Sequence, residues 1–229
     1  MKNKKLDRFI GKLAPAQIAQ GINAAINNAR RLVSDAELLF KNKRYASATG
    51  LAILAIEEAG KVSILRELSV AQTGEDLHDN WKAYRTHTRK NTMWILRDLV
   101  LSGARNLEDL RPMFEEDADH PYILDNIKQI SFYTDCLGRA HWSIPIDIIN
   151  EEITKEILAI SRALLSKKEA TEKEIELWKK YLGPVWKKDM RLMKQGLAQW
   201  AMEMWRNDLL SCDLEEFLEF INSETHWKH

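Results

Sequence analysis

LAILAIEEAGK, Leu51 to Lys61, runs six apolar residues straight into two carboxylates, a glycine and a lysine. On a helix, positions alternately three and four apart share a stripe. One stripe through this segment is Leu51, Leu54, Glu58, Lys61, Leu65 and Leu68, four leucines around an acid and a base. A second is small throughout: Ala48, Ala52, Ala55 and Ala59. Small side chains let a neighbouring helix come close, so the segment reads as a helix packed on more than one side. Glu58 and Lys61 then interrupt an apolar seam. Glu57 lies about 100° round from Glu58 and is expected on the solvent side, within i,i+4 reach of Lys61, a pairing worth about 0.2–0.5 kcal/mol if exposed. Two readings of Glu58 and Lys61 stand open: a structural ion pair that fixes helix register, or a functional pair lining a cleft.

Working outward, the rest of the chain also reads as helices. Periodic segments fall at roughly 16–42, 44–70, 77–102, 122–138, 147–169, 172–182, 185–209 and 213–222, with almost no strand pattern. Pro15 suits a helix entry, Gly74, Ser102-Gly103 and Gly183-Pro184 mark ends, and Thr171 with Glu174 forms a capping-box pattern. A short connection around Gly74 favours 44–70 and 77–102 as packed neighbours. No internal repeat or low-complexity segment appears. The 229 residues are 45% hydrophobic and 30% charged, enough for a real core in a helix-rich domain. Lys plus Arg and Asp plus Glu are both 34, so the overall charge neither favours nor excludes nucleic acid, and only local clustering can. Cys136 and Cys212 form no pair motif. The N-terminus lacks a long apolar run, and no stretch approaches the ~18 apolar residues of a membrane span. A cytoplasmic protein without membrane association is the expectation.

The second polar cluster is WKAYRTHTRKNTMW, Trp81 to Trp94. On a regular helix Tyr84, His87, Asn91 and Trp94 share a stripe, with Lys90 beside His87 and with Arg85 and Arg89 nearly opposite. This is a basic patch with aromatic ends, a surface suited to phosphate. The plainer alternative is a solvated face for the arginines and a hydrogen-bonded histidine. Histidine beside lysine and tyrosine is also suitable chemistry for acid–base work near neutral pH. Further on, QISFYTDCLGRAHWSIP places Ile127, Ile130, Tyr133 and Leu137 on an expected core stripe, with Tyr133 able to bring a hydroxyl to a polar cleft, and Arg139 and His141 on a loop. In the C-terminal third, Met190, Met193, Leu197, Trp200, Ala201 and Met204 form a Met/Trp side that suits a core or an interface.

The blocks ASATGLAILAIEEAGK, YRTHTRKN and FYTDCLG together resemble the AbiV-type abortive-infection proteins of bacteria, within the HEPN-like helical domains. The resemblance spans about Arg30 to Pro145. It implies an all-α, HEPN-like antiparallel helical bundle. The division it suggests is a basic tail over 1–15, the AbiV-type core over 16–146, and a C-terminal helical extension over 147–229 packed on that core. It also implies a role against phage, targets in RNA or the translation machinery, a phage protein as trigger, and a homodimer. Many HEPN-like proteins are metal-independent ribonucleases marked by an Arg and a His four to six intervening residues apart. Here Arg85-x-His87 and Arg139-x-His141 are shorter than that pattern. Catalysis would therefore fall to Glu58, Lys61, His87 and Lys90, with Arg85, Arg89, Tyr84, Asn91 and Tyr133 as substrate contacts. No cofactor and no metal site is expected: phosphate loops and nucleophile motifs do not appear, and the His226–His229 tail is a poor ligand set. The alternative function is a non-catalytic helical module that dimerises and binds a protein partner in phage defence.

Overall fold

The computed structural model describes residues 6–113, 115 and 118–223, with Arg97 described by its backbone alone. The first five residues of the basic tail and the His226–His229 stretch lie outside the described residues.

The fold is an all-α bundle organised around one central helix. Helix α1 (Pro15–Lys41) starts at Pro15, whose missing amide costs nothing in a first turn. The Gln17 side chain accepts from the Ala14 amide at 2.9 Å. Lys43, with φ of 58°, turns the chain, and α2 (Tyr45–Val70) returns along α1. The alanine stripe of α2 is buried throughout, as its small side chains suggested, so the two helices meet closely. Helix α2 also packs against α3 (Gly74–Arg85), α6 (His120–Phe132), α8 (Glu151–Ala163) and α9 (Glu172–Leu182). Being covered on nearly all sides explains why its apolar residues form no single face.

Ile53 and Ile56 of α2 join Leu124 of α6 and Ile157, Leu158 and Ile160 of α8 in one core cluster. Leu65 and Leu68 join Ile18, Ile22, Trp81 and Ile175 in a second. Each such side chain contributes about 1.5–3 kcal/mol of burial. A third cluster lies in the C-terminal helices: Leu177, Trp178 and Leu182 of α9 meet Trp200, Ala201 and Met204 of α10 (Met190–Arg206), with Phe217 of α11 (Leu214–Asn222) alongside. The Met/Trp side of α10 is thus core at these three residues, while Met190 is exposed.

Four expected helices prove shorter or broken. The span 185–209 is helical only over Met190–Arg206, because Lys187 turns the chain with φ of 55° and Asp189 then caps the Arg191 and Leu192 amides. The span 77–102 is not one helix. α3 ends at Arg85, Thr86 takes an extended conformation, and a four-residue α4 (His87–Lys90) follows. A 3-10 turn (Met93–Ile95) and α5 (Leu96–Leu101) complete the stretch. The cause is local: Thr86 turns its hydroxyl back to the Lys82 carbonyl at 2.9 Å, and threonine competes with the helix in this way. Helix α6 ends at Phe132. A hairpin of β1 (Asp135–Leu137) and β2 (His141–Ser143) then turns through Gly138 and Ala140, both with positive φ. His141 is therefore in a strand. Tyr133 and Leu137 are exposed and not core, because the helix that would have buried them stops first. The span 147–169 splits into α7 (Pro145–Ile148) and α8, which starts where Asn150 caps the Ile153 amide at 3.0 Å.

Candidate functional site

The glutamate that faces inward is Glu57, not Glu58. Glu57 is 2% exposed on the side of α2 that meets α4 and α6. Three cations or donors converge on it. Lys128 of α6 donates to Oε1 at 2.5 Å, His87 of α4 lies with Nδ1 2.7 Å from Oε2, and the Lys90 ammonium is 3.5 Å from the same oxygen. Lys128 also donates to Asp125 Oδ1 at 2.6 Å. Two buried lysines thus balance two carboxylates, with the imidazole as the fifth member. The expected exposure of Glu57 and its pairing with Lys61 are overturned: a rotation of about 100° per residue sends Glu57 into the contact with α4 and α6.

Burial works against the Glu57 charge, but the hydrogen bonds from Lys128 and His87 and the nearby lysines outweigh it. They hold the carboxyl below the usual carboxylate range. Burial likewise works against the Lys128 ammonium, yet Asp125 and Glu57 raise it above the ordinary lysine value. Lys90 is moved the other way. Burial lowers it, with Lys61 adding to the effect, and Glu57 offsets only part.

Gly60 explains how α4 reaches this position. A Cβ at Gly60 would overlap the Lys90 carbonyl oxygen, so only glycine lets the α4 backbone rest directly on α2. Gly60 lies one turn beyond Glu57. The same close approach therefore brings His87 and Lys90 onto the carboxylate. Around it, Trp94 donates to the His120 carbonyl at 3.0 Å, and His120 Nε2 lies 3.2 Å from the Thr92 carbonyl.

The other expected residues divide. Glu58 and Lys61 do pair, at 2.5 Å and half-buried, and the Lys61 ammonium lies 5.1 Å from the centre of the Tyr84 ring. They sit beside the cluster, close enough for Lys61 and Glu58 to act on the Lys90 charge, and Glu58 is not the partner of His87. Arg85 is occupied elsewhere: it donates to the Phe9 carbonyl at 2.6 Å and lies over the Trp81 ring, pinning the N-terminal segment. Asn91 is fully buried and donates towards the Pro121 carbonyl at 3.5 Å, which makes it part of the framework. Arg89 is exposed on α4. Tyr133 is exposed beyond the end of α6 and lines a groove beside the hairpin. The break at Thr86 is why Tyr84, His87, Asn91 and Trp94 do not share one stripe.

Lys128 and Asp125 escaped the sequence reading. Their signal is a lysine at i+4 from fully buried Leu124, with an acid three residues before it on α6. Ligand atoms of Glu57, His87 and Asp125 lie within 4.8 Å of one another, a spacing that suits a cation. Lys128 already places its ammonium against both carboxylates, and a metal ion there would have to displace it.

The model of the family described as AbiV, HEPN_AbiV, matches residues 17–166. The chain belongs to the AbiV family. Every member of the Glu57 cluster lies inside that span, as do α2, α6, α8 and all of α1 but its first two residues. Helices α9 to α11 lie beyond it. Membership supports a general antiphage, abortive-infection role. No curated protein and no solved structure matches the chain. Among the described residues, no helix is long and apolar enough to cross a membrane.

Proposed function

We propose that this AbiV protein acts in abortive infection by cutting RNA without a metal ion, with the Glu57–His87 pair as its proton relay. The carrying observation is the contrast within that pair. The Glu57 side chain is 3% exposed and that of His87 is 58% exposed, at 2.7 Å. A buried carboxylate that accepts from Nδ1 fixes the ring's orientation and tautomer and presents Nε2 to solvent. Nε2 takes the proton from a ribose 2′-hydroxyl as that oxygen attacks the adjacent phosphorus. The bond to the 5′-oxygen breaks, and the imidazolium returns the proton to the leaving oxygen. The products are a 2′,3′-cyclic phosphate and a 5′-hydroxyl. Lys90 is too deeply buried to grip a phosphate and instead balances Glu57 behind the imidazole. Phosphate contact falls to Lys61 and to Arg89, next to the imidazole in sequence. The metal-independent character rests on Lys128, which supplies the positive charge between the carboxylates.

The test is RNA cleavage in EDTA by the full chain, beside His87→Ala, His87→Asn and Arg89→Ala, with phage plating alongside. Cleavage that survives EDTA and is lost in both His87 variants supports the reading. Full cleavage or full phage protection by His87→Ala, at unchanged melting temperature, overturns it. One observation favours the second reading, a non-catalytic module: the apolar surface around the hairpin at 135–143 is broad and exposed. In that reading His87→Ala keeps protection, and substitutions at the hairpin remove it.

A further inference from the structure

A cavity of about 550 Å³ lies where α1 and α2 meet the C-terminal helices. Ile22, Ile26, Val62, Leu164 and Met204 give it apolar walls, and Gly60 and Met93 also line it. Its size falls within the ~300–1,000 Å³ of small-molecule sites, which favour the space between packed helices. The loop from α8 to α9 forms one side and is held in place by its own chain. Asn23 donates to the Ala170 carbonyl at 2.9 Å and accepts from the Ala170 amide at 2.8 Å. Lys168 donates to the Leu210 carbonyl at 3.2 Å, which ties that loop to the one between α10 and α11.

Two donors at this cavity lack acceptors. Trp200 lines it and is 7% exposed, and its buried indole N–H has no acceptor among the described residues. Arg66 lines it too. Its Nη2 donates to Glu174 at 2.5 Å, while its buried Nε–H has no acceptor. Buried polar groups in folded proteins nearly always have a partner. Two orphaned donors at one preformed cavity therefore call for an acceptor from outside the chain. The carboxylates nearby do not supply it: Glu174 is held by Arg66 through its other nitrogen, and Glu169 and Asp208 are exposed.

We propose that this cavity binds a small amphipathic carboxylic acid. Its carboxylate accepts from Arg66 Nε and the Trp200 indole, and its apolar chain lies against Ile22, Ile26 and Met204. A carboxylate fits because it only accepts, has two oxygens for two donors, and meets a guanidinium that stays charged. The apolar walls ask for a body without polar atoms. An ammonium ligand would set donor against donor. Trp200, Met204 and the loop beyond Ser166 lie outside the span that the AbiV model matches, so the site is made jointly by the AbiV core and the C-terminal helices. This inference does not depend on the ribonuclease reading, since neither donor belongs to the Glu57 cluster.

Octanoate is the probe, and octylamine, which carries the same chain and only donors at neutral pH, is the control. Calorimetric titration of the full chain should show saturable one-to-one binding of octanoate and none of octylamine. Trp200→Phe keeps an aromatic ring and removes the N–H. Arg66→Lys keeps a charge beside Glu174 and removes Nε. Each should weaken octanoate about three- to tenfold, the scale of one hydrogen bond, at unchanged melting temperature. Trp205→Phe, at an exposed tryptophan of α10 outside the cavity, should bind as the wild type does. A wild type that shows no saturable octanoate binding up to millimolar concentration overturns the proposal. So does equal binding of octylamine, or octanoate binding undiminished in both Trp200→Phe and Arg66→Lys.

Discussion

Helix α2 and the segment from Thr86 to Leu101 supply charge to the same cluster, and they hold it by different means. In α2 the backbone is one unbroken helix of 26 residues, enclosed by α1, α6 and α8, so Glu57 has no route to water. In the second segment no helix exceeds six residues. Its position depends on contacts made elsewhere: the Gly60 approach, Asn91 on the Pro121 carbonyl, and the Trp94 and His120 bonds that tie it to the start of α6. A charge placed by a buried helix is expensive to disturb because nothing else can solvate it. A charge placed by a short docked segment is positioned by a few contacts and lost with any of them.

The largest effect should come from the α2 side. Glu57→Ala leaves buried Lys90 without its carboxylate and Lys128 with Asp125 alone, and breaking a buried ion cluster by removing one partner costs about 3–5 kcal/mol. Chemical denaturation should show that loss. Adding Lys90→Met should recover a large part of it, because the buried ammonium that lost its carboxylate is then gone. Equal instability of the single and double variants would mean the cluster does not carry the energy.

On the docked side, Gly60→Ala should cost about 1–3 kcal/mol, the usual range for overpacking. Its signature is more specific than its size. The new methyl meets the Lys90 carbonyl, so α4 must lift. Hydrogen exchange should rise over 86–95 and stay unchanged over the middle of α2. Gly74→Ala, where a Cβ meets open space, is the control and should be nearly neutral.

The two regions were also unequally legible in the sequence. Helix α2 was visible because its leucine and alanine stripes depend only on local spacing, and its ends fall within a residue of expectation. The capped α9 was equally clear, since Thr171 accepts the Glu174 amide at 3.1 Å as the pattern required. What spacing could not show was which of two adjacent glutamates faces inward, because α2 has apolar neighbours nearly all round and so no single inner face. The break at Thr86 was hidden for a related reason: 77–102 keeps helical periodicity, and only Thr86, Thr88 and Thr92 hinted at an interruption. Lys128 was missed because a buried lysine is rare and its partner lies 71 residues away.

A smaller effect separates charge from shape within the cluster. The Glu57 carboxyl is held below its unfolded value, so its contribution is fully present above about pH 4.3, the ordinary glutamate value. That contribution is lost as pH falls from there through the folded-state value. Wild-type stability should therefore fall in acid more steeply than that of Glu57→Gln, which keeps the shape and carries no titrating group at 57. Parallel acid profiles would show that the carboxylate does not carry the charge linkage.

The smallest effect on stability should be at the exposed end of the cluster. His87→Ala removes one hydrogen bond to Glu57, but Lys128 and Lys90 still pair with that carboxylate, and the imidazole is mostly in water. The loss should stay within about 1 kcal/mol, the scale of a single net hydrogen bond. If His87 is the proton relay, function falls by orders of magnitude while the fold barely changes, and removing it costs far more activity than its contribution to stability. If His87 only caps the ion cluster, activity and stability shift together and by little. His87→Gln sharpens the distinction. Its amide can still donate to Glu57 and so keep the melting temperature, yet it cannot accept and release a proton at the position of Nε2. Retained stability with lost cleavage would assign the role to the imidazole itself, and full activity in His87→Gln would leave the cluster as framework alone.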